Sequence, residues 1–358
     1  MMLAIRRDGG SMRTFDYRNL PKNLFDGAIG SISMRLYEDK GRLTTLMEIH
    51  RDALDALRPQ THLDNVEASM RIEGLYIERA RLRELLEGAK PATETEAQAV
   101  GYSNALVQIE ENADDLEFST STAVAFYEAI FAHRNLGSKS RYRKKDFMYV
   151  DVDGRPQAVP VSPINAFETP LVLGAACDSF VKALESNTCN PLVLNAVFTI
   201  DFLCIRPFDE GNGRIARLLS NLLLAKAGLD ISRYCSVDRL IEQSGMAYYN
   251  ALNACVEGWD RGMNDYSPYV LYWLETLHGA CRRLLDDIQV RSAGAGGKSR
   301  RVRQFVEWAD KPVAKRDIRA ALPDISEATI ENELGRLVKE GLVEKTGASR
   351  STAYRWLG

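Results

Sequence analysis

A chain of 358 residues is long enough for two or three domains, and 45% hydrophobic with 27% charged residues is the balance of a folded globular protein rather than a disordered or fibrous one. The net charge of −3 argues neither for nor against nucleic acid. No apolar run approaches the roughly 20 residues that span a bilayer, and MMLAIRRDGG lacks the apolar stretch of a signal peptide, so a cytoplasmic protein with no membrane partner is expected.

The first 40 residues, with scattered glycines, read as an irregular arm. Leu43–Leu57 and Leu63–Leu86 read as helices. Within the second, Ser69 and Glu73 are four apart and share a face, and Gly74 would end or bend the helix. Thr93–Glu117 and Ser119–Ala132 follow as helices. In Ser140–Val161 the run Tyr149-Val150-Asp151-Val152 alternates and Asp153-Gly154 is a hairpin-turn signal, so a two-stranded hairpin is expected.

Pro191–Ile205 is apolar on nearly every face, the mark of a buried helix, and Ile215–Ala227 is a second apolar helix closed by Gly228. Between them runs Arg206-Pro207-Phe208-Asp209-Glu210-Gly211-Asn212-Gly213-Arg214, a polar loop with two glycines that opens into a helix N-terminus. Such a loop offers free backbone N–H groups and the positive end of the helix dipole, an anion site. Arg214 and Arg217, three apart, would reach further phosphates, and the Glu210 carboxylate could hold a Mg²⁺ bridging them. The stretch therefore predicts a pocket for a nucleotide di- or triphosphate. It is not a Walker A loop, since Gly-Lys-Ser/Thr is absent.

Ser236–Val256 reads as a helical stretch carrying Tyr248 and Tyr249, and Tyr266–Val290 as a long amphipathic helix. Arg291–Ser299 (RSAGAGGKS) has the composition of a linker. Beyond it Val302–Ala309, Lys315–Leu322 and Ser326–Glu340 read as helices, followed by two strands, Gly341–Lys345 and Ala353–Trp356, around a Thr-Gly-Ala-Ser turn. The six cysteines form no CxxC pair and are expected to be reduced core thiols.

The loop resembles the signature of the Fic family, HxFx(D/E)GNGRxxR, matched at Phe208, Glu210, Gly211, Asn212, Gly213, Arg214 and Arg217 and departing from it at Arg206, where the family has histidine. The resemblance implies a mainly α fold: a Fic-type helical bundle with a small β-hairpin flap. It implies ATP and Mg as cofactors and transfer of AMP to a hydroxyl of a target protein. Phe208 and position 206 fall in the catalytic segment. Gly211, Asn212, Gly213, Arg214 and Arg217 hold nucleotide, Glu210 holds metal, and Tyr248 is the candidate for the adenine pocket. Ser69, Glu73 and Gly74 fit the family's inhibitory motif, (S/T)xxxE(G/N), whose glutamate pairs with the second signature arginine, here Arg217. Tyr149, Val150 and Asp151 fall on the flap that grips the target by strand addition.

The C-terminal pattern resembles a winged helix-turn-helix. Its residues 298–358 hold 13 Lys/Arg and 9 Asp/Glu, yet its third helix carries Glu327, Glu331, Glu333 and Glu340. Carboxylates there oppose phosphate, so DNA and a protein partner both stay open for residues 300–358. The expected organisation is an arm and inhibitory helix over 1–90, a Fic core over 91–290, a linker over 291–299 and a winged helix over 300–358; a homodimer remains open.

Arg206 bears on the chemistry. An arginine with a pKa above about 12 cannot accept a proton near pH 7, and loss of a general base costs about 10²–10⁴ in rate. The four histidines, His50, His62, His133 and His278, lie far from the loop in sequence, and Asp201 and Asp209 are conceivable replacement bases, neither singled out by spacing. An impaired transferase and a nucleotide-sensing regulator are the two readings.

Overall fold

The structure is a computed structural model, and it describes residues 13–134, 141–152, 155–160, 162–292, 295–309, 311–347 and 352–357. It is mainly helical, and the described residues form two compact units. The first comprises the described residues up to Thr44 together with Asp55–Cys281; the second comprises Thr45–Leu54 and the described residues from Arg282 onward.

In the first unit the helices are α1 (Gly27–Ile49, its C-terminal end in the second unit), α3 (Arg58–Ile72), α4 (Arg79–Leu86), α5 (Glu94–Asn112) and α6 (Thr120–Ile130). The short α2 (Arg51–Asp55) lies between α1 and α3 in sequence. A hairpin follows, β1 (Phe147–Val152) antiparallel to β2 (Arg155–Pro160), in a register pairing Tyr149 with Ala158 and Asp151 with Pro156. Its expected turn, Asp153-Gly154, lies outside the described residues. Then come α7 (Thr169–Ser186), α8 (Pro191–Ile205), α9 (Asn212–Lys226), α10 (Val237–Ser244), α11 (Met246–Ala254) and α12 (Ser267–Ser292).

Local chemistry explains where several of these helices start. Thr93, Ser119, Asn190 and Ser236 each accept a backbone N–H of the first turn, at 3.2, 3.3, 2.9 and 3.0 Å. Pro191 at the first position of α8 already has a helical φ and no N–H to satisfy. Helix α8 is buried on every face, as its apolar sequence requires, and packs against α7 and α9.

The structure corrects four boundaries. The stretch expected to be an irregular arm becomes helical at Gly27, because Ile29, Ile32, Leu36 and Leu43 form a buried stripe at helical spacing despite Gly27, Gly30 and Gly41. Leu63–Leu86 is two helices rather than one. Gly74, at φ 75°, ends the first, and the Leu75 N–H returns to the Met70 carbonyl at 3.0 Å in a left-handed cap. Ser236–Val256 is likewise split at Gly245, whose φ 54° and ψ −121° only glycine adopts readily. Of Arg291–Ser299, residues 291–292 and 295–299 are helical, and the division between the units falls inside α12 instead. Alanine in that stretch keeps helix propensity high enough to offset its glycines.

The second unit contains α13 (Ala295–Glu307), α14 (Lys315–Ala321), α15 (Glu327–Lys339), and the hairpin β3 (Val343–Thr346) with β4 (Ala353–Trp356). Val302, Val306, Ile318, Ile330, Leu334, Leu337 and Tyr354 form its core. Val313 and Tyr354 exchange two backbone hydrogen bonds at 2.9 Å, which tie the segment before α14 to the hairpin. Three helices followed by a hairpin is the expected element order.

Candidate functional site

The loop between α8 and α9 is built from its own backbone geometry. Arg206 ends α8 in the left-handed region at φ 48°, and Gly211 starts α9 at φ 77°. The first is uncommon for a residue with a Cβ; the second suits glycine. Asn212 closes the loop on itself: its Oδ1 accepts the Phe208 N–H at 3.0 Å and its Nδ2 donates to the Phe208 carbonyl at 2.8 Å. Phe208 is fully buried and stacks on Tyr127 at 4.7 Å and Tyr142 at 6.0 Å. Its role is to anchor the loop in the core.

Both feet of the β1–β2 hairpin are fastened to this loop. Ahead of β1, Arg143 donates its backbone N–H to the Pro207 carbonyl at 2.8 Å and its Nε to the Arg206 carbonyl at 2.9 Å. Its Nη1 donates to the Lys145 carbonyl at 3.0 Å and to Asp146 Oδ1 at 3.4 Å, and its Nη2 to the Ile164 carbonyl. After β2, the Ser162 hydroxyl donates to the Cys204 carbonyl at 2.8 Å. Tyr149, Val150 and Asp151 thus sit on a hairpin held beside the loop; their side chains lie outside the described residues.

The first turn of α9 carries the anion-binding features. Gly211 has no side chain to cap the free N–H groups there. The Glu73 carboxylate, from the end of α3, lies against this turn: a Cβ at Gly213 would collide with Glu73 Oε1. The same oxygen accepts Arg217 Nη2 at 2.8 Å, while Ser69 takes Arg217 Nε on its hydroxyl at 2.8 Å and Nη2 on its carbonyl at 2.9 Å. Ser69 and Glu73 do share one face of α3, and both meet Arg217. Arg217 is 5% exposed; burial disfavours its charge, but Glu73, Tyr248, Asp238 and Tyr102 together outweigh that and raise its pKa.

Arg214 is also buried. Its Nη1 donates to Gln98 Oε1 at 2.7 Å and its guanidinium lies 5.5 Å from the centre of the Phe131 ring. Burial pushes its pKa down, with Glu73 pulling it back up. The two arginines therefore do not fan out from a surface turn; each is held in a defined direction by α3 or α5.

Glu210 makes an ion pair with Arg134, which also reaches Glu94 and stacks on Phe131. This partner had no signal near Glu210 in sequence, being 76 residues away. Among the described residues no group of three or more His, Cys, Asp or Glu could hold a metal. A single half-exposed carboxylate beside an anion site fits Mg²⁺, which typically takes one or two carboxylates with substrate phosphates completing its shell. Glu210 would hold it, and the ion would neutralise phosphate charge.

Two readings of individual residues need correction. Tyr248 is 4% exposed and packs on Tyr249 and Tyr269, so it has little ring face left for a base; the neighbouring Tyr249 is 39% exposed, and its hydroxyl donates to the Ile72 carbonyl at 2.6 Å, next to Glu73. Asp201 is enclosed, not available as a base. It accepts from Tyr17 at 2.6 Å and from Trp259 and Tyr266 at 2.7 Å each, with Arg13 at 3.5 Å, and burial pushes its pKa up. It pins the segment 13–17 to α8. Asp209 is exposed, and its Oδ1 accepts the Lys144 N–H at 3.4 Å.

Three of the four histidines have acidic partners: His62 with Glu110 as well as Ser103, His133 with Glu94, and His278 with Asp39. Arg206 is partly buried; burial lowers its pKa and the Glu73 charge opposes that. All six cysteines are free thiols, four of them buried. No helix among the described residues is long and apolar enough to cross a membrane.

Comparison with known proteins converges on this region. The Fic/DOC family model matches residues 117–224, which include the hairpin, the loop and most of α9. The chain is similar to the protein adenylyltransferase Fic of Drosophila grimshawi, with 25% identity over 249 residues, or 65% of this chain and 47% of that protein. It thus spans about half the length of that curated relative. Among solved structures, a Fic family protein from Desulfovibrio desulfuricans G20 aligns with a TM-score of 0.58 and 21% identity over 93% of this chain and 97% of that one. A Fic domain containing signaling protein from Bacteroides thetaiotaomicron gives 0.56 and 20% over 72% and 98%. A singly substituted fragment of Fic-1 from C. elegans gives 0.56 and 19% over 74% and 73%. The chain carries a Fic/DOC domain.

Proposed function

We propose that this protein binds Mg–ATP at the loop between α8 and α9, and that its scaffold is that of an AMP transferase held shut by Glu73. The observation that carries this reading is the Glu73 carboxylate lying on the first turn of α9 while paired with Arg217 at 2.8 Å. A carboxylate that lies against an uncapped helix N-terminus and pairs with a guanidinium occupies the kind of place a terminal phosphate would take. Nucleotide and Glu73 compete for the same donors, so binding and inhibition are one equilibrium.

In the transfer, a target hydroxyl would attack the α-phosphorus of ATP and pyrophosphate would leave. The chain's residues account for three parts of this. Gly211–Arg214 and Arg217 bind the phosphates, Glu210 takes the metal, and the hairpin offers strand edges to a target backbone. The proton of the attacking hydroxyl has no histidine at position 206 to accept it, and Asp209, exposed on the loop, is the acid left for that role. Arg206 stands where the family resemblance calls for histidine and remains a cation at neutral pH, and Asp201 is enclosed. AMP transfer is accordingly impaired.

The test is thermal unfolding with and without Mg–ATP. We expect ATP to raise the melting temperature of the unmutated chain, more so for Glu73→Gly, and not at all for Arg217→Ala. No rise even in Glu73→Gly would end the nucleotide reading.

The identity of Arg206 favours a second reading, in which the nucleotide is sensed rather than consumed and the signal leaves through residues 300–358, which we read as a winged helix. On α14 and α15 most of the cations are already matched: Arg336 by Glu333 and Glu340, Lys315 by Glu331, Arg316 by Asp317 and Arg319 by Glu327. This pairing supports a protein partner over DNA. Fluorescence anisotropy with duplex DNA at physiological salt should give no binding tighter than the roughly 10⁻⁴–10⁻⁶ M of non-specific contacts; a tight, salt-dependent complex would reverse the preference.

A further inference from the structure

Glu73 is not the only acid near Arg217: Asp238 of α10, which is 2% exposed, lines the same small cavity. Its Oδ2 accepts the Tyr102 hydroxyl at 2.8 Å. Burial raises its pKa, while the Arg217 cation and the hydroxyls of Tyr102 and Ser69 favour its charged form. Ser69 stands near both groups: it is among those that favour the charged form of Asp238, and its hydroxyl accepts Arg217 Nε at 2.8 Å.

Arg217 and Asp238 further line one small cavity with Asn221 and Trp273. Three buried N–H groups of these lining residues, on Arg217 Nη1, Asn221 Nδ2 and Trp273 Nε1, have no partner among the described residues. Buried donors left this way cost free energy, and a cavity with room for about one water and several unpartnered donors on its wall is where a structural water sits.

We infer that Asp238 is the fixed counter-ion of the anion site, a positioning residue that holds Arg217 through Ser69 and a buried water. A buried guanidinium stripped of its last carboxylate is strongly destabilising. Were Glu73 its only partner, the departure of Glu73 before nucleotide arrives would leave that charge bare. Asp238, which has no route to solvent, keeps Arg217 charged and oriented while Glu73 leaves and a phosphate takes its place. The inference deepens the proposed phosphate site and rests on that reading of Arg217, but its first test does not need ATP.

That test is a double-mutant cycle on thermal unfolding of the full chain: Glu73→Gln, Asp238→Asn and both together, repeated with Arg217→Met. If both acids compensate one cation, the double variant loses more than the sum of the single losses, by at least about 3 °C. In the Arg217→Met series the excess disappears, which a merely structural role for Asp238 would not produce. A double variant that folds only with Arg217→Met is the same coupling at its limit. Additive losses, or an excess that persists without Arg217, would overturn the inference. Separately, Asp238→Asn placed on Glu73→Gly should weaken ATP about tenfold; failure of Glu73→Gly itself to bind ATP would count against the nucleotide reading, leaving the cycle to decide on Asp238.

Discussion

Arg143 and Arg206 are joined by a hydrogen bond from the Nε of one to the carbonyl of the other, at 2.9 Å. Arg206 is the residue that turns out of α8 with a left-handed backbone, so Arg143 fastens the loop where it is most strained. Neither residue's charge is the point of this contact. Arg143 acts as a planar fork whose donors collect carbonyls from Arg206, Lys145 and Ile164.

Replacing Arg143 by alanine should therefore strip several buried carbonyls of their partners at once, at a cost of about 3 kcal/mol or more in unfolding free energy. Lysine, a single point donor, should recover less than half. Chemical denaturation of the three proteins checks this, and a loss under about 1 kcal/mol for alanine would show that the loop holds its shape without the fork.

Releasing the Glu73 carboxylate frees the first turn of α9 and Arg217 together. Glu73→Gly should tighten ATP about tenfold, equivalent to about 1.4 kcal/mol of lifted competition. Calorimetric titration measures it directly. Equal affinity in the two proteins would mean that Glu73 moves aside at no cost.

Arg206→His should be tolerated structurally, because histidine is among the residues that accept a left-handed backbone. It would also supply a group able to take a proton. Transfer of labelled AMP from ATP should rise by about 10²–10⁴ over Glu73→Gly alone when the substitution is added to that background. The gain should grow as pH rises through about 6.5, where histidine loses its own proton. Strong labelling by Glu73→Gly that keeps Arg206 would instead point to another base.

Asp230 gives a test of pH dependence. Burial pushes its carboxyl up to about 6, against the pull of Arg233 beside it. A carboxyl whose folded pKa exceeds its unfolded one binds its proton better when folded. Its contribution is present below about pH 4 and is lost as pH rises through about 6. Melting temperatures of Asp230→Asn should therefore gain on those of the unmutated chain between pH 4 and 7. Parallel curves would refute the shift.

Much of this protein was legible from local chemistry. The bounds of α8 follow from Pro191 and a run that is apolar at most positions, and the hairpin from alternation ahead of Asp153-Gly154. The loop from Arg206 to Arg217 declared an anion site through glycines, arginines and a helix N-terminus that lie within twelve residues. The spacing of Ser69 and Glu73 put both on one helix face, and both reach Arg217. These are short-range facts, fixed by periodicity, capping and φ.

Only the tertiary structure decided what stands against that loop. Arg143, Ser162, Gln98, Arg134 and Asp238 hold or flank the site from positions far away in sequence, and nothing in their neighbourhoods marks them. It also separated neighbours that look alike, burying Tyr248 and leaving Tyr249 half exposed, and it turned Asp201 from a candidate base into an enclosed acceptor of three hydrogen bonds beside Arg13. The reason is physical: a residue's type sets what it can bond, while burial and partners are set by chain segments that meet only when the core closes.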